Sequence, residues 1–503
     1  MKVVTLLLLC STVLSTHAVS QDRFQSLDRF VENCMTEYRV PGLALAVVEG
    51  NKVVYLKGYG IADPTGRQVT PQTPFYLASV TKSFTAIAVM QLVEAGHLDL
   101  DVPVKSYIPW FLLKDGAAGS HASDRITLRH LLHHISGIAQ STGEIALPVN
   151  YDNPDALELQ VRSFASVPLA HEPGNSFEYA NANYEIAGLV VQIVSGHSIE
   201  DVFKEQIFKP LKMVHSHTSP ATARADGLAT GYRWWFEYPI AFPQQPFPRG
   251  CFPSGFCIST AEDLGHYLIA QMNNGRYQEA TVLSLEYVSI MHKPGLNNYG
   301  MGWFIGQDKE IEHSGQLECF GSHLYIDMKN QRGIALLFNV NRGEGSGHLY
   351  LLAPAIAKLL AGRAASIPPT YTGNRKSLMK LLGVLIGIGI WLSWSFRRLW
   401  KWTKGTRPGL QGWRLWLFLI LPFLLECLLV VALIVSIPVA ISVAFLYSPD
   451  AMWLWLLAIS LTVGWGLLRT LWTVSLVVYI GKRKGTGLDL ISSCHYRSAD
   501  GSS

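Results

Sequence analysis

The chain has 503 residues, 41 Lys and Arg against 37 Asp and Glu, 49% hydrophobic residues and only 16% charged ones, with a mean hydropathy of +0.21. So much apolar mass with so little charge excludes a disordered chain or a protein that coats nucleic acid, and no nucleic-acid partner is expected. The net charge of +4 conceals a split: residues 1–376 carry 29 basic and 33 acidic groups, and the remaining 127 carry 12 and 4. A mildly acidic globular part is therefore followed by an apolar part with basic loops, which is how membrane segments read.

Lys2, an apolar run over 3–14 and the small-residue end Thr16-His17-Ala18 read as a secretory signal over residues 1–18. Phe24, Leu27, Val31, Cys34 and Tyr38 then recur at helical spacing. Two strand-like runs, 43–49 and 52–57, are joined by Gly50-Asn51, a two-residue turn suited to positive φ. Residues 74–275 are mostly helical in pattern. Runs 300–303, 311–314, 322–327 and 333–339 read as strands and 350–360 as a closing helix. Strands at both ends of a domain around a helical middle imply one sheet assembled from the two termini. The aromatic-dense segment 231–257 suits the wall of an apolar pocket, a membrane-resting surface or a loop packed on its own domain. Cys34, Cys251, Cys257 and Cys319 lie in the globular part, where a Cys251–Cys257 disulfide and four free buried thiols are both open.

A linker over 363–377 leads to three apolar runs, 378–396, 415–447 and 452–480, each long enough to cross a bilayer of about 30 Å at about 1.5 Å per residue. Arg397, Arg398, Lys401, Lys404, Arg407 and Arg414 fill the loop 397–414, and Lys482, Arg483 and Lys484 open the tail 481–503. The bias of positive charge puts loop and tail in the cytoplasm and the globular domain outside, in agreement with the signal sequence. Glu426 and Arg469 are charges inside the runs at similar depth, and two readings stay open: the two pair, or the third span ends near Leu468 and Arg469 reaches the headgroups.

Three motifs carry chemistry. In Ser79-Val80-Thr81-Lys82 the Ser and Lys lie three apart on a helical run and so share one face, where an ammonium can depress its own pKa or the hydroxyl's. Alone this spacing is common; its weight comes from partners. Tyr179-Ala180-Asn181 supplies a Tyr that is either held as phenolate or relays a proton, and an Asn able to hold the Lys and a substrate amide. His313-Ser314-Gly315 opens a strand region where a donor can fix a substrate carboxylate or carbonyl. His130, His133 and His134 suit a structural helix better than a metal site, His215 and His217 lack a third ligand, and the glycine-rich turn 343–347 lacks the strand-to-helix context of a phosphate loop.

With these motifs, and with the flanking stretches Leu128-Arg129-His130-Leu131-Leu132-His133-His134-Ile135-Ser136-Gly137, Ser259-Thr260-Ala261-Glu262-Asp263-Leu264 and Tyr299-Gly300-Met301-Gly302-Trp303, the sequence resembles the serine β-lactamase and penicillin-binding-protein superfamily. The likeness is to its class C β-lactamase-like branch, which includes DD-peptidases, D-aminopeptidases and esterases, and it covers residues 22–362. The resemblance implies an α+β fold in which an antiparallel sheet is flanked by helices, with a mainly helical subdomain. It implies Ser79 as acylated nucleophile, Lys82 and Tyr179 as a coupled base, and Asn181 orienting Lys82 and substrate. The backbone N–H groups of Ser79 and Gln316 would form the oxyanion hole, with His313, Gly315 and Gln316 binding substrate. No metal or other cofactor is implied. His313 replaces the lysine that many β-lactamases and penicillin-binding proteins carry at the third motif; an imidazole grips a carboxylate less firmly and in a pH-dependent way.

The expected protein is a membrane-anchored, outward-facing serine hydrolase acting on a small-molecule or peptide amide or ester, plausibly one containing a D-amino acid. A class C-type β-lactamase and a non-catalytic binding or sensor protein are the alternatives. The architecture also resembles membrane-bound D-amino peptidases that mature nonribosomal peptide prodrugs, although Leu77 and Asn181 give no sign of their specialised pocket. No sequence signal sets an oligomeric state.

Overall fold

The computed structural model describes residues 23–117, 121–143, 153–236, 238–341, 349–367, 373–404 and 449–483, with Leu424, Cys427, Leu428 and Val431. The expected signal sequence, the turn 343–347, Glu426 with all but those four residues of run 415–447, and the tail beyond 483 lie outside the described residues. The chain divides into two compact units, Met1–Tyr371 and Thr372–Ser503.

In the first unit, helix α1 (residues 23–38) buries Leu27, Val31, Cys34 and Tyr38, the positions its period selects. Strands β1 (Gly42–Glu49) and β2 (Lys52–Gly60) follow as a hairpin. Their neighbours come from the far end of the domain: β5 (Phe304–Ile305), β6 (Glu310–Gln316), β7 (Gly321–Asp327) and β8 (Arg332–Phe338). The sheet order is β2-β1-β8-β7-β6-β5, antiparallel throughout.

Strand periodicity explains why β1 is apolar along its whole length. Ala44, Ala46 and Val48 enter one core while Leu43, Leu45 and Val47 enter another on the opposite face. On β8, Ala335 and Leu337 face the first core and Ile334, Leu336 and Phe338 the second. The sheet is therefore the middle of three layers. The first core takes helices α2 (Thr81–Glu94), α4 (Asn181–Ser195) and α5 (Ala261–Met272). The second takes α1 and α6 (Leu352–Leu360). A short α3 (Leu128–Leu132) completes the helical part that matters for the site.

Two expectations need correction. Residues 300–303 are a loop, not a strand, and pairing begins only at Phe304. The reason is Gly302, whose φ of +79° turns the chain against α2, where a Cβ would lie 2.7 Å from the Ser83 Cα. The aromatic segment 231–257 also has no single role. Strands β3 (Gly231–Trp235) and β4 (Tyr238–Phe242) form a hairpin whose Tyr232 and Trp234 join the second core, Phe247 and Phe252 join the first, and Trp235, Phe236 and Tyr238 are exposed. Cys34, Cys251, Cys257 and Cys319 are buried and unpaired.

The second unit contains helices α7 (Gly373–Lys404) and α8 (Pro449–Arg483). Within them Leu378–Lys401, of mean hydropathy 1.7, and Asp450–Trp472, of mean hydropathy 1.8, are long and apolar enough to cross a membrane. The two helices pack on each other, with Trp465 Nε1 donating to Ser395 Oγ at 3.0 Å and Phe396 lying against the rings of Trp465 and Trp472.

Candidate active site

Helix α2 is buried on nearly every side, from Thr81 through Met90 and again at Leu92, which marks it as a central helix rather than an amphipathic one. The single 3₁₀ turn Ala78–Val80 precedes it and leaves Ser79 half-buried at its mouth. Ala78 is held at a φ of +48°, a strained conformation for a residue with a Cβ. Partners on both sides hold it there: Leu77 N–H donates to Cys257 O at 2.8 Å, and Ser322 Oγ donates to Leu77 O at 2.5 Å. Strand β6 crosses so close that a Cβ on Gly315 would lie 2.2 Å from Leu77 O. This close approach sets the Gly315-Gln316 backbone beside the turn that carries Ser79.

Lys82 has no exposed surface. Its Nζ donates to Ser79 Oγ at 3.1 Å, Asn181 Oδ1 at 2.8 Å and Ser254 O at 2.6 Å, one acceptor for each ammonium hydrogen. The same Nζ lies 4.9 Å from the centroid of the Tyr179 ring. Thus the first two motifs, 97 positions apart at Lys82 and Tyr179, meet at one nitrogen.

Tyr179 and Asn181 are held by the loop after α3. His134 stacks on the Tyr179 ring at 4.2 Å, and its Nδ1 accepts from Ala180 N–H at 3.2 Å and from Asn183 Nδ2 at 2.9 Å. Asn183 Oδ1 accepts from Ser136 Oγ at 2.6 Å, and Tyr184 OH donates to Leu132 O at 2.8 Å. The three histidines have separate duties. His130 completes a capping box with Thr127, His133 Nδ1 donates to Tyr299 O at 2.8 Å, and His134 supports Tyr179. Among the described residues no group of His, Cys, Asp and Glu is arranged to hold a metal ion.

The third motif is nearby but turned inward. His313 is 1% exposed, with its ring centroid 6.3 Å from that of Tyr179. Its Nδ1 faces Ser314 O at 2.7 Å and must donate, so Nε2 accepts from Tyr299 OH at 3.1 Å. Both ring nitrogens are engaged by the protein. Gln316, the last residue of β6, is exposed.

Residues 27–356 match the family model described as Beta-lactamase. The chain belongs to the beta-lactamase family. Protein flp of Staphylococcus aureus strain N315 is 29% identical over 327 residues, 64% of each chain. Unguisins hydrolase ungD' of Aspergillus campestris is 28% identical over 325 residues, 60% of this chain and 59% of its own. This chain thus spans less than two thirds of the length of these relatives. Among solved structures, the octameric penicillin-binding protein homologue from Pyrococcus abyssi superposes with a TM-score of 0.56 at 28% identity, over 68% of this chain and 78% of that one. A class C beta-lactamase mutant superposes with a TM-score of 0.55 at 20% identity, over 68% and 97%. The fold is the β-lactamase/transpeptidase-like one that the resemblance implied.

The electrostatics of this beta-lactamase-family site follow from its dryness. Burial pushes Lys82 down to about 7, although the charges of Glu185 and Cys251 pull it back up. Burial likewise raises the Tyr179 hydroxyl above its ordinary value, against a smaller lowering by a hydrogen bond with Ser79. Tyr179 is therefore a protonated phenol that can pass a proton, not a standing phenolate. Burial, helped by the Lys82 charge, pushes His313 down to about 3, so the imidazole is neutral across the physiological range. The expected pH-dependent grip on a carboxylate does not arise, because titration falls outside that range.

Sequence reasoning missed Ser254 and Glu185, which stand behind Lys82, and Tyr299, which orients His313. Glu185 left one trace: an acid between Tyr184 and Ile186, one turn after Asn181, in a helix otherwise apolar from Ile186 to Val191. Ser254 left none, since it arrives on a separate short helix, Phe252–Gly255. A cavity of about 590 Å³ bordered by Glu200, Lys204, Arg224, Gln245 and Arg249 includes none of the motif residues in its lining.

Proposed function

We propose that the chain is a serine hydrolase that works through an acyl-enzyme on Ser79. The observation that carries this reading is the fully buried Lys82 Nζ at 3.1 Å from Ser79 Oγ, with Asn181 and Tyr179 completing its surroundings. Near neutrality a large fraction of Lys82 is an unprotonated amine, able to take the hydroxyl proton as Ser79 attacks a carbonyl. Tyr179 then gives its hydroxyl proton to the leaving group and takes the serine proton back from Lys82, which returns to the amine, so that in the second half-reaction the same pair activates water. The N–H groups of Ser79 and Gln316 receive the oxyanion. Asn181 holds Lys82 and meets a substrate amide.

The third motif supports one reading of the substrate class. A neutral His313 with both nitrogens engaged offers no charge to a substrate carboxylate, which favours amides, esters and peptides over β-lactams. Those containing a D-amino acid are the leading class, and the hydrolase named among the relatives supports hydrolysis as the reaction. The helices α7 and α8 anchor the chain in a membrane, with the run 415–447 as a third span. The expected signal sequence and the basic loop support a location of residues 22–362 outside the cytoplasm.

The test is intact mass of the full chain in detergent, followed over time with a penicillin and with a panel of D-amino-acid esters and amides, against Ser79→Ala. An adduct or turnover that depends on Ser79 is expected with the esters and amides. Rapid turnover of penicillin would instead make it a β-lactamase. Ligand binding that persists in Ser79→Ala, with no adduct in the unmutated protein, would make it a binding protein.

A further inference from the structure

Glu185 has no exposed surface, and no step of the proposed reaction uses it. It lies one turn after Asn181 on α4, so it shares a helix face with the residue that holds Lys82. Ser254 joins it to the lysine: the Ser254 carbonyl accepts from Lys82 Nζ at 2.6 Å, and its hydroxyl donates to Glu185 Oε1 at 2.9 Å. Glu185 Oε2 accepts from the buried Gln160 Nε2 at 3.4 Å, and the Cys251 thiol adds a further hydrogen bond. Facing Lys82 are the rings of Tyr179 and Tyr184 and the imidazoles of His134 and His313. Among these charged and titratable neighbours, Glu185 and Cys251 are the acids whose charge would hold the lysine's proton, and burial drives the Cys251 thiol well above its ordinary range. A charge in so dry a place is strongly disfavoured unless another compensates it, and water screens neither member.

We infer that Glu185 is a positioning residue for Lys82, supplying through Ser254 the counter-charge that holds the ammonium against Ser79 and governing the pH at which it gives up its proton. This rests on the reading of Lys82 as the base for Ser79. Burial drives the pair toward each other, Lys82 down to about 7 and Glu185 up to about 7, and each charge partly restores the other.

Two measurements on the full chain in detergent test it. The first is the rate of Ser79 labelling by a fluorophosphonate probe from pH 5 to 9. The unmutated rate is expected to rise with a midpoint near 7, as Lys82 loses its proton. Glu185→Gln should move that midpoint down by about one pH unit, Ser254→Ala should move it the same way by less, and Glu185→Asp should restore it. A merely structural role would lower the plateau and leave the midpoint in place, which would overturn the inference.

The second measurement is apparent Tm against pH, which needs no activity. Glu185 is raised above its unfolded value of 4.5, so it contributes stability that is full below 4.5 and is lost as pH rises through about 7. Glutamine removes that loss. Lys82, lowered from 10.5, already contributes stability that is lost as pH falls, and without Glu185 that loss extends to lower pH. Both effects make the Tm of Glu185→Gln, taken relative to the unmutated chain, climb as pH rises from 5 to 8. A Tm difference that is the same at both ends overturns the inference. If the unmutated chain does not label, the proposed function fails and the melting series decides alone; if Glu185→Gln does not fold, Ser254→Ala carries both readouts.

Discussion

Lys82 shows how a residue's chemistry is set by what surrounds it. Three acceptors hold its ammonium, yet the absence of water favours the amine. Tyr179→Phe keeps the ring that stacks on His134 and removes only the hydroxyl. It is expected to slow Ser79-dependent ester turnover about 10²- to 10⁴-fold with little change in Tm, as stopped-flow acylation and thermal melts would reveal. His313→Asn tests the neutral third motif. Because His313 does not titrate near neutrality, the pH dependence of kcat/KM between 5 and 8 should keep its shape in this variant, whatever happens to the rate. A limb that disappears from the profile would show that the imidazole does titrate in that range.

At the scale of elements, the site is a junction where glycines permit backbones to touch. Strand β6 reaches the Ser79 turn because Gly315 has no Cβ, and the loop 299–303 reaches α2 because Gly302 has none. Gly315→Ala is expected to push β6 off the Leu77 carbonyl, abolishing Ser79 labelling while most of the fold persists. Labelling at the normal rate would contradict the tight crossing. Gly302→Ala combines a positive φ with a contact at 2.7 Å and should cost about 1–3 kcal/mol, read from denaturant melts. The capping box at Thr127 and His130 is a milder case: Thr127→Ala should cost about 1 kcal/mol without changing the rate. The close crossings at Gly302 and Gly315 were only partly legible beforehand. Tyr299-Gly300-Met301-Gly302-Trp303 was visible as a signature but read as a strand, since its alternating apolar residues fit that period; the contact that forbids the strand comes from a helix more than 200 positions away.

For the whole molecule, the described part of the first unit contains two hydrophobic cores on opposite faces of one sheet, each built from residues of that unit. A chain truncated after residue 367 is therefore expected to fold, to leave the membrane pellet for the soluble fraction, and to keep Ser79 labelling. The full chain should resist carbonate extraction. Loss of folding in the truncated chain would mean that the C-terminal unit does more than anchor.

Family, motif residues and two-part organisation were readable from the chain alone, because these depend on local spacing and composition. Ser79 and Lys82 share a helix face at any site where that helix forms, and apolar runs of membrane length announce themselves without tertiary contacts. The mixing of strands from both ends was legible too, since strand-like runs lie on either side of a helical middle and can share one sheet. The worth of the titratable groups emerged with the packing. Whether Lys82 is a base, whether Tyr179 is a phenol and whether His313 is charged depend on burial and on Ser254, Glu185, Tyr299 and His134 brought in from other parts of the chain. Burial and long-range hydrogen bonds have no signature in spacing, since they come into being when the layers close over the site.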